Sequence, residues 1–239
     1  MLFSLVLPFL GGASETAYKV AWTIESSPHG DTFEPTVDSG YMVLLESECV
    51  AFKVNTTAEA VAIYDIKNKS IFSFSLERWI DLDQFKTQSL DNQRRNLIPI
   101  AEEDTNHARI LKSISATDFD IYESEGDLLF IKDHLTYWIK AEPMKESFLE
   151  RYALFYEMKL YHFLPSGSPP PNAPIEVNRE LKKRGLFPND IKTEIQLHRE
   201  SIKTHTTLSV SLASPEELKT TKEIISNQSA HTTPASASR

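Results

Sequence analysis

The stretch at residues 41–79 constrains the fold of this chain more than any other. It reads YMVLLESECVAFKVN, then TTAEAVAIYDIKNKS, then IFSFSLERW, four short apolar runs parted by polar breaks. Glu46-Ser47-Glu48, residues 55–59 and Lys67-Asn68-Lys69 are clusters of the kind that end strands and make turns. The runs between them are rich in Val, Ile, Phe and Tyr, which suit a pleated, half-buried surface. Phe72, Phe74 and Leu76 fall on one side of their run, with Ser73 and Ser75 on the other. Val50, Phe52 and Val54 likewise oppose Ala51 and Lys53. That period of two marks a sheet with one face on a core. The remaining runs are apolar on both sides, so part of the second face is covered as well. Residues 60–76 form the best hairpin, with Asn68 placed to take positive φ in its turn. The stretch is an antiparallel meander.

The flanking segments extend this pattern. Tyr18, Val20, Trp22 and Ile24 alternate with Lys19, Ala21, Thr23 and Glu25, a first strand with one buried face. Residues 26–40, holding Pro28, Gly30, Pro35 and Gly40, read as a loop. Asp81 can cap a helix carrying Leu82, Phe85 and Leu90, with Gln84 in the capping-box position. A second helix is predicted at residues 106–113. Strands return at 119–122, 128–132 and 135–141 and extend the sheet by three. Residues 145–164 carry the most apolar helical stripe: Leu149, Tyr152, Ala153, Tyr156, Leu160 and Phe163, widened by Phe148 and Phe155. So wide a stripe suits a concave apolar surface, and ordinary core packing accounts for it equally.

Residues 166–174, SGSPPPNAP, read as a rigid loop, because consecutive prolines lack amide donors. A helix at 175–184 ends at Gly185, with Pro188 beyond. Residues 190–200 and 203–213 make a final hairpin whose buried face holds Ile191, Ile195, Leu197, Leu208, Val210 and Leu212. Ser214-Pro215-Glu216-Glu217 starts a last helix. Residues 226–239 read as a disordered tail.

With 239 residues the chain can bury a full core, and residues 17–225 read as one domain. A formal charge of −9 argues against binding a phosphate backbone, which needs a concentrated basic face. Residues 1–16 hold an apolar run too short to span a bilayer, followed by small residues. They suit a signal peptide, which implies export to the periplasm or cell envelope, although no Lys or Arg precedes Lys19. Cys49, the single cysteine, has no disulfide partner and reads as a small core residue.

No motif names a reaction. GxSxG, HExxH, GxGxxG and GxxxxGK are all absent. Asp118, Asp120 and Gly126 lack the glycine spacing of a calcium loop. His198 and His205 could face each other across the last hairpin if it turns at Ser201-Ile202, but two imidazoles are short of a metal site. His29-Gly30-Asp31 has no visible nucleophile beside it, and Glu102-Glu103-Asp104 reads as a solvated acidic segment. No catalytic residue, cofactor or metal is therefore assigned.

Two resemblances add to this reading. LTYWIK at 135–140, the helix with Tyr152, Phe155 and Tyr156, LPSGSPPPNAP at 164–174, then Asn178, Leu181 and Leu186-Phe187-Pro188 resemble a set of exported proteins of planctomycete bacteria. That resemblance implies an apolar leader and carries no activity. The first strand, the Gly40-led meander and IYDIKNKSIFSFSL with its following helix are similar to the lipoprotein-carrier (half-barrel) superfamily. It implies a curved antiparallel sheet that wraps apolar helices and can hold acyl chains. The expected fold is α+β, a curved, half-barrel-like antiparallel sheet packed on two or three helices. The expected function is non-catalytic binding of an apolar, lipid-like ligand or an envelope partner, with Trp22, Phe72, Phe74, Trp138, Tyr152 and Tyr156 lining the site. An interaction module using sheet edges or the proline loop is the alternative, and a hydrolase with dispersed residues the third.

Overall fold

In the computed structural model the first strand pairs with the last, and this pairing joins two meanders into one sheet. The structure describes residues 16–31, 35–53, 60–92, 105–163 and 170–229. The strands are β1 (Tyr18–Asp31), β2 (Thr36–Leu44), β3 (Glu48–Lys53), β4 (Ala60–Asp65), β5 (Ser70–Ser73) and β6 (Arg78–Asp81). They continue as β7 (Asp120–Ser124), β8 (Asp127–Lys132), β9 (Leu135–Pro143), β10 (Leu186–Gln196) and β11 (Ser201–Leu212). The helices are α1 (Leu82–Asn92), α2 (Thr105–Ile114), α3 (Glu146–Phe163), α4 (Asn172–Lys183) and α5 (Pro215–Ser229). The strand order is β6-β5-β4-β3-β2-β1-β11-β10-β9-β8-β7. Each neighbouring pair is antiparallel, and β6 and β7 are open edges. This is the expected α+β class, an antiparallel sheet left unclosed. The strands expected at 119–141 do extend the first sheet, reached through β10 and β11.

Alternation along each strand sorts the core into two faces. On the inner face Val20, Met42, Leu44, Ala62 and Tyr64 pack on Phe148, Leu149, Tyr152 and Phe155 of α3. Farther along that face Phe130, Tyr137 and Ile139 meet Ala173, Val177 and Leu181 of α4. On the outer face Val43, Val50, Phe52, Ile63 and Phe72 are covered by Leu218, Ile224 and Ile225 of α5. Coverage by α5 is why the central runs are apolar on both sides. Cys49 is fully buried as a free thiol.

Both anticipated caps form. Asp81 Oδ1 accepts the amides of Asp83 and Gln84 at 2.7 and 3.2 Å. Ser214 and Glu217 exchange side chain-to-backbone bonds at 2.9 and 3.1 Å, and Lys19 reaches Glu217 Oε1 at 2.6 Å. Gly185 takes φ +71 at the end of α4.

Several expectations are corrected. Most of 26–40 is strand, because β1 is held on both sides, Ser26 pairing with Thr36 and with Thr204. In the β4–β5 turn Lys69 rather than Asn68 has positive φ (49), since Asp65 ties down the Asn68 amide at 3.0 Å. β5 stops at Ser73, so Leu76 lies in a turn and is exposed, and β6 follows. The α4 helix begins at Asn172, inside the expected proline loop. Pro174 sits in its first turn, where a missing amide hydrogen costs little. Leu212 is exposed rather than buried. The α5 helix runs to Ser229, past the expected boundary at 225. Residues 1–15 of the expected leader at 1–16 and the Glu102-Glu103-Asp104 segment lie outside the described residues, as do the side chains of His29-Gly30-Asp31.

Candidate functional site

Between the inner face of the sheet and the α3–α4 pair lies a cavity of about 520 Å³. Its sheet wall comes from six strands: Trp22 and Ile24 on β1, Met42 on β2, Val61 on β4, Leu208 on β11, Ile191 on β10 and Tyr137 on β9. The helical wall comes from Tyr152, Tyr156, Lys159 and Leu160 of α3 with Val177 and Leu181 of α4. Polar groups are few: Asp38, Asn178, Thr193, Thr204 and Thr206. An apolar cavity with a handful of convergent polar groups is the usual form of a small-molecule site.

Trp22 is set by a missing side chain. It pairs across β1–β2 with Gly40, and a Cβ at Gly40 would stand 2.4 Å from the indole and 2.6 Å from the Phe52 carbonyl oxygen. Glycine therefore lets the indole lie flat against the strand. The Trp22 Nε1–H is buried without an acceptor among the described residues. Tyr152 is locked from the other side. Its ring stacks on Phe148 at 5.9 Å and on Tyr156 at 5.6 Å, and meets Phe187 edge-on at 4.9 Å. Burial pushes the phenols of Tyr137, Tyr152 and Tyr156 up, Tyr156 to about 12, so all three stay neutral hydrogen-bonding groups.

Lys159 is the cation of the cavity. Its Nζ lies 3.4 Å from the centre of the Trp22 ring. Among the described residues it makes no ion pair. Burial lowers its pKa to about 8, against the longer-range pull of the Asp38 carboxylate. Deeper along α3 the Tyr64 hydroxyl lies 3.3 Å from His162 Nδ1, and burial lowers the His162 pKa.

Of the six residues expected to line a site, Trp22, Tyr152 and Tyr156 meet around this cavity. Phe72 and Phe74 do not. They pack with Trp79 on the outer face, Phe72 5.1 Å from Phe74 and 5.5 Å from Trp79. Trp138 is 41% exposed on the outer face, beside a second concavity of about 640 Å³ lined with alternating charges such as Asp190, Lys192, Glu194 and Lys203. His205 lies there, 2.8 Å from Asp190 Oδ2. His198 instead sits in the β10–β11 turn, which closes with the Leu197 amide on the Glu200 carbonyl at 2.8 Å. The two histidines thus never oppose each other; His205 pairs with Lys192. Among the described residues no three His, Cys, Asp or Glu side chains gather to hold a metal.

Lys159 and Asp38 were not anticipated. The signal for Lys159 is legible in hindsight: it stands three residues after Tyr156 and seven after Tyr152, on the apolar stripe itself. Asp38 carried none, since its segment reads as a loop.

No family model matches the chain, and no curated protein matches it. Among solved structures, a LolA superfamily protein from Nitrosomonas europaea aligns over 86% of this chain and 90% of that one. The identity is 7% and the TM-score 0.33. The fold class stands on the strand order and the packing described above.

Proposed function

We propose that the protein binds an apolar, lipid-like ligand between the inner sheet face and helices α3 and α4. The observation that carries this reading is the cavity itself. A helix stripe as wide as that of α3 had two possible roles, to fill a concave face or to roof it, and here it leaves about 520 Å³ beneath it. That volume lies within the roughly 300–1,000 Å³ of ligand pockets. Trp22, Tyr152 and Tyr156 form its aromatic walls and are this reading's ligand contacts. The resemblance of residues 135–188 to exported proteins supports placing the chain in the cell envelope, and no described helix is long and apolar enough to cross a membrane.

The test is native mass spectrometry of the purified chain, followed by organic extraction. A stoichiometric adduct that extracts as lipid supports the reading. A clean apo mass that stays unchanged after incubation with envelope lipids removes it.

A further inference from the structure

The described lining of the cavity contains one cation, Lys159, and one carboxylate, Asp38, on otherwise apolar and neutral walls. Placing a lysine there is costly, because its charge is largely withdrawn from water and no ion pair among the described residues offsets the loss. The neighbouring α3 positions that face inward, Tyr152, Tyr156 and Leu160, show that an apolar residue fits on this side of the helix. A single desolvated ammonium beside an apolar chamber is complementary to one chemistry, an anion attached to a hydrocarbon.

We propose that the ligand is a single-chain amphiphile with a carboxylate head, the head seated on the Lys159 ammonium and the chain lying along the Trp22, Tyr152 and Tyr156 wall. This rests on reading the cavity as a binding site. A methylene is about the size of a water molecule, whose share of the liquid is roughly 30 Å³. The cavity's volume of about 520 Å³ is therefore ample for one chain on the order of 15 carbons. Long-range steering does not bring the anion in, since the chain carries −9 overall. Selection is local, and Asp38 repels the head from its own side of the cavity.

The titratable groups around Lys159 are Asp38 on β2, Cys49 on β3, Tyr137 on β9, and Tyr152 and Tyr156 on α3 itself. The thiol and the phenols are pushed up by burial and stay neutral through mildly alkaline pH. Loss of head selection on raising the pH therefore reports Lys159.

The experiment compares tetradecanoate with tetradecan-1-ol on the full chain by equilibrium titration at pH 7 and pH 9.5. At pH 7 the carboxylate is expected to bind about tenfold more tightly, the scale of one charge-assisted contact. At pH 9.5 the two probes approach parity. Lys159→Gln shows parity at both pH values, and Lys159→Arg keeps the preference at both. Equal binding of the two probes by the unmutated chain at pH 7 overturns the head assignment and leaves the apolar-ligand reading standing. So does a carboxylate preference that survives in Lys159→Gln. Failure of both probes to bind overturns the cavity reading and this one with it. The unmutated comparison needs no variant to fold.

Discussion

The Lys159 ammonium lies 3.4 Å from the centre of the Trp22 ring, and that ring lies where a side chain at residue 40 would otherwise be. A glycine on β2 thus sets an indole on β1, and the indole offers its face to a cation from a helix far along the chain. The attraction of a cation to the ring face compensates only part of the ammonium's lost hydration.

Gly40→Ala tests the first half of that relation. The new methyl group meets both a ring and a backbone oxygen, so the cost is expected to be about 2 kcal/mol, typical of overpacking. Trp22→Leu in the same chain should relieve part of it and not all, because the Phe52 carbonyl cannot withdraw. A double-mutant cycle of urea-denaturation free energies measures the coupling. Strict additivity would show that the indole is not the obstacle.

Lys159→Met tests the second half. The folded-state pKa of about 8 is below the ordinary 10.5, so the unfolded chain binds the proton more tightly. Wild-type stability is therefore depressed below pH 8 and recovers as the pH rises from about 8 toward 10.5. Each unit is worth about 1.4 kcal/mol. With the remaining exposure and the ring contact taken into account, the methionine variant should be more stable by about 2 kcal/mol at pH 7. The gap should shrink by pH 9.5. A constant gap across that range would rule out the lysine charge as its source.

His162 gives a slope of opposite reach. Its pKa is lowered by burial, so its contribution is complete above the ordinary value of 6.5. Stability should then decline as the pH falls from 6.5 toward the depressed folded value, as the unfolded chain takes up the proton first. The Tyr64 hydroxyl 3.3 Å from Nδ1 shares the site with that titration. His162→Gln should flatten the pH 5–7 part of a melting-temperature profile, and an unchanged profile would assign the slope elsewhere.

Thr206→Phe fills the cavity from the β11 side. The ring enters empty apolar space, so stability should change by no more than about 1 kcal/mol. Binding of tetradecan-1-ol should weaken at least tenfold. Undiminished binding in a folded variant would place the ligand site somewhere else.

Ser214→Ala removes the hydroxyl that accepts the Glu217 amide at the start of α5, with an expected cost of about 1 kcal/mol. The helix covers the outer face of β2–β5, so the loss should appear in global unfolding rather than as local fraying. Hydrogen exchange of α5 amides against those of β3 distinguishes the two.

Much of the fold was legible because its signals are local. The caps at Asp81 and Ser214 and the stop at Gly185 each depend on a few adjacent residues, and each forms as read. The misreadings occur where partners override local preference. Residues 26–40 contain prolines and glycines, yet most of them are strand because β1 offers pairing on both sides. Pro174 reads as a breaker and instead occupies the one helical turn that tolerates it. For the site, aromatic identity was a poor guide: Trp22 lines the cavity, while Trp138 stands exposed on the other side of the sheet.

By itself the sequence determined most of the strands and helices, and that each has two unlike faces. Alternation and 3.6-residue spacing record those differences residue by residue. The tertiary structure decided which faces meet. The parity that puts Trp22 inside cannot say that α3 will lie across it. Nor can it say that α5 will take the opposite face and claim Phe72 and Phe74. Those choices follow from pairing β1 with β11 and from packing whole helices against whole sheet faces, energies spread over many distant contacts. Lys159 shows the difference: its spacing places it on the inner stripe, but only the assembled sheet and helices surround it with an empty apolar chamber.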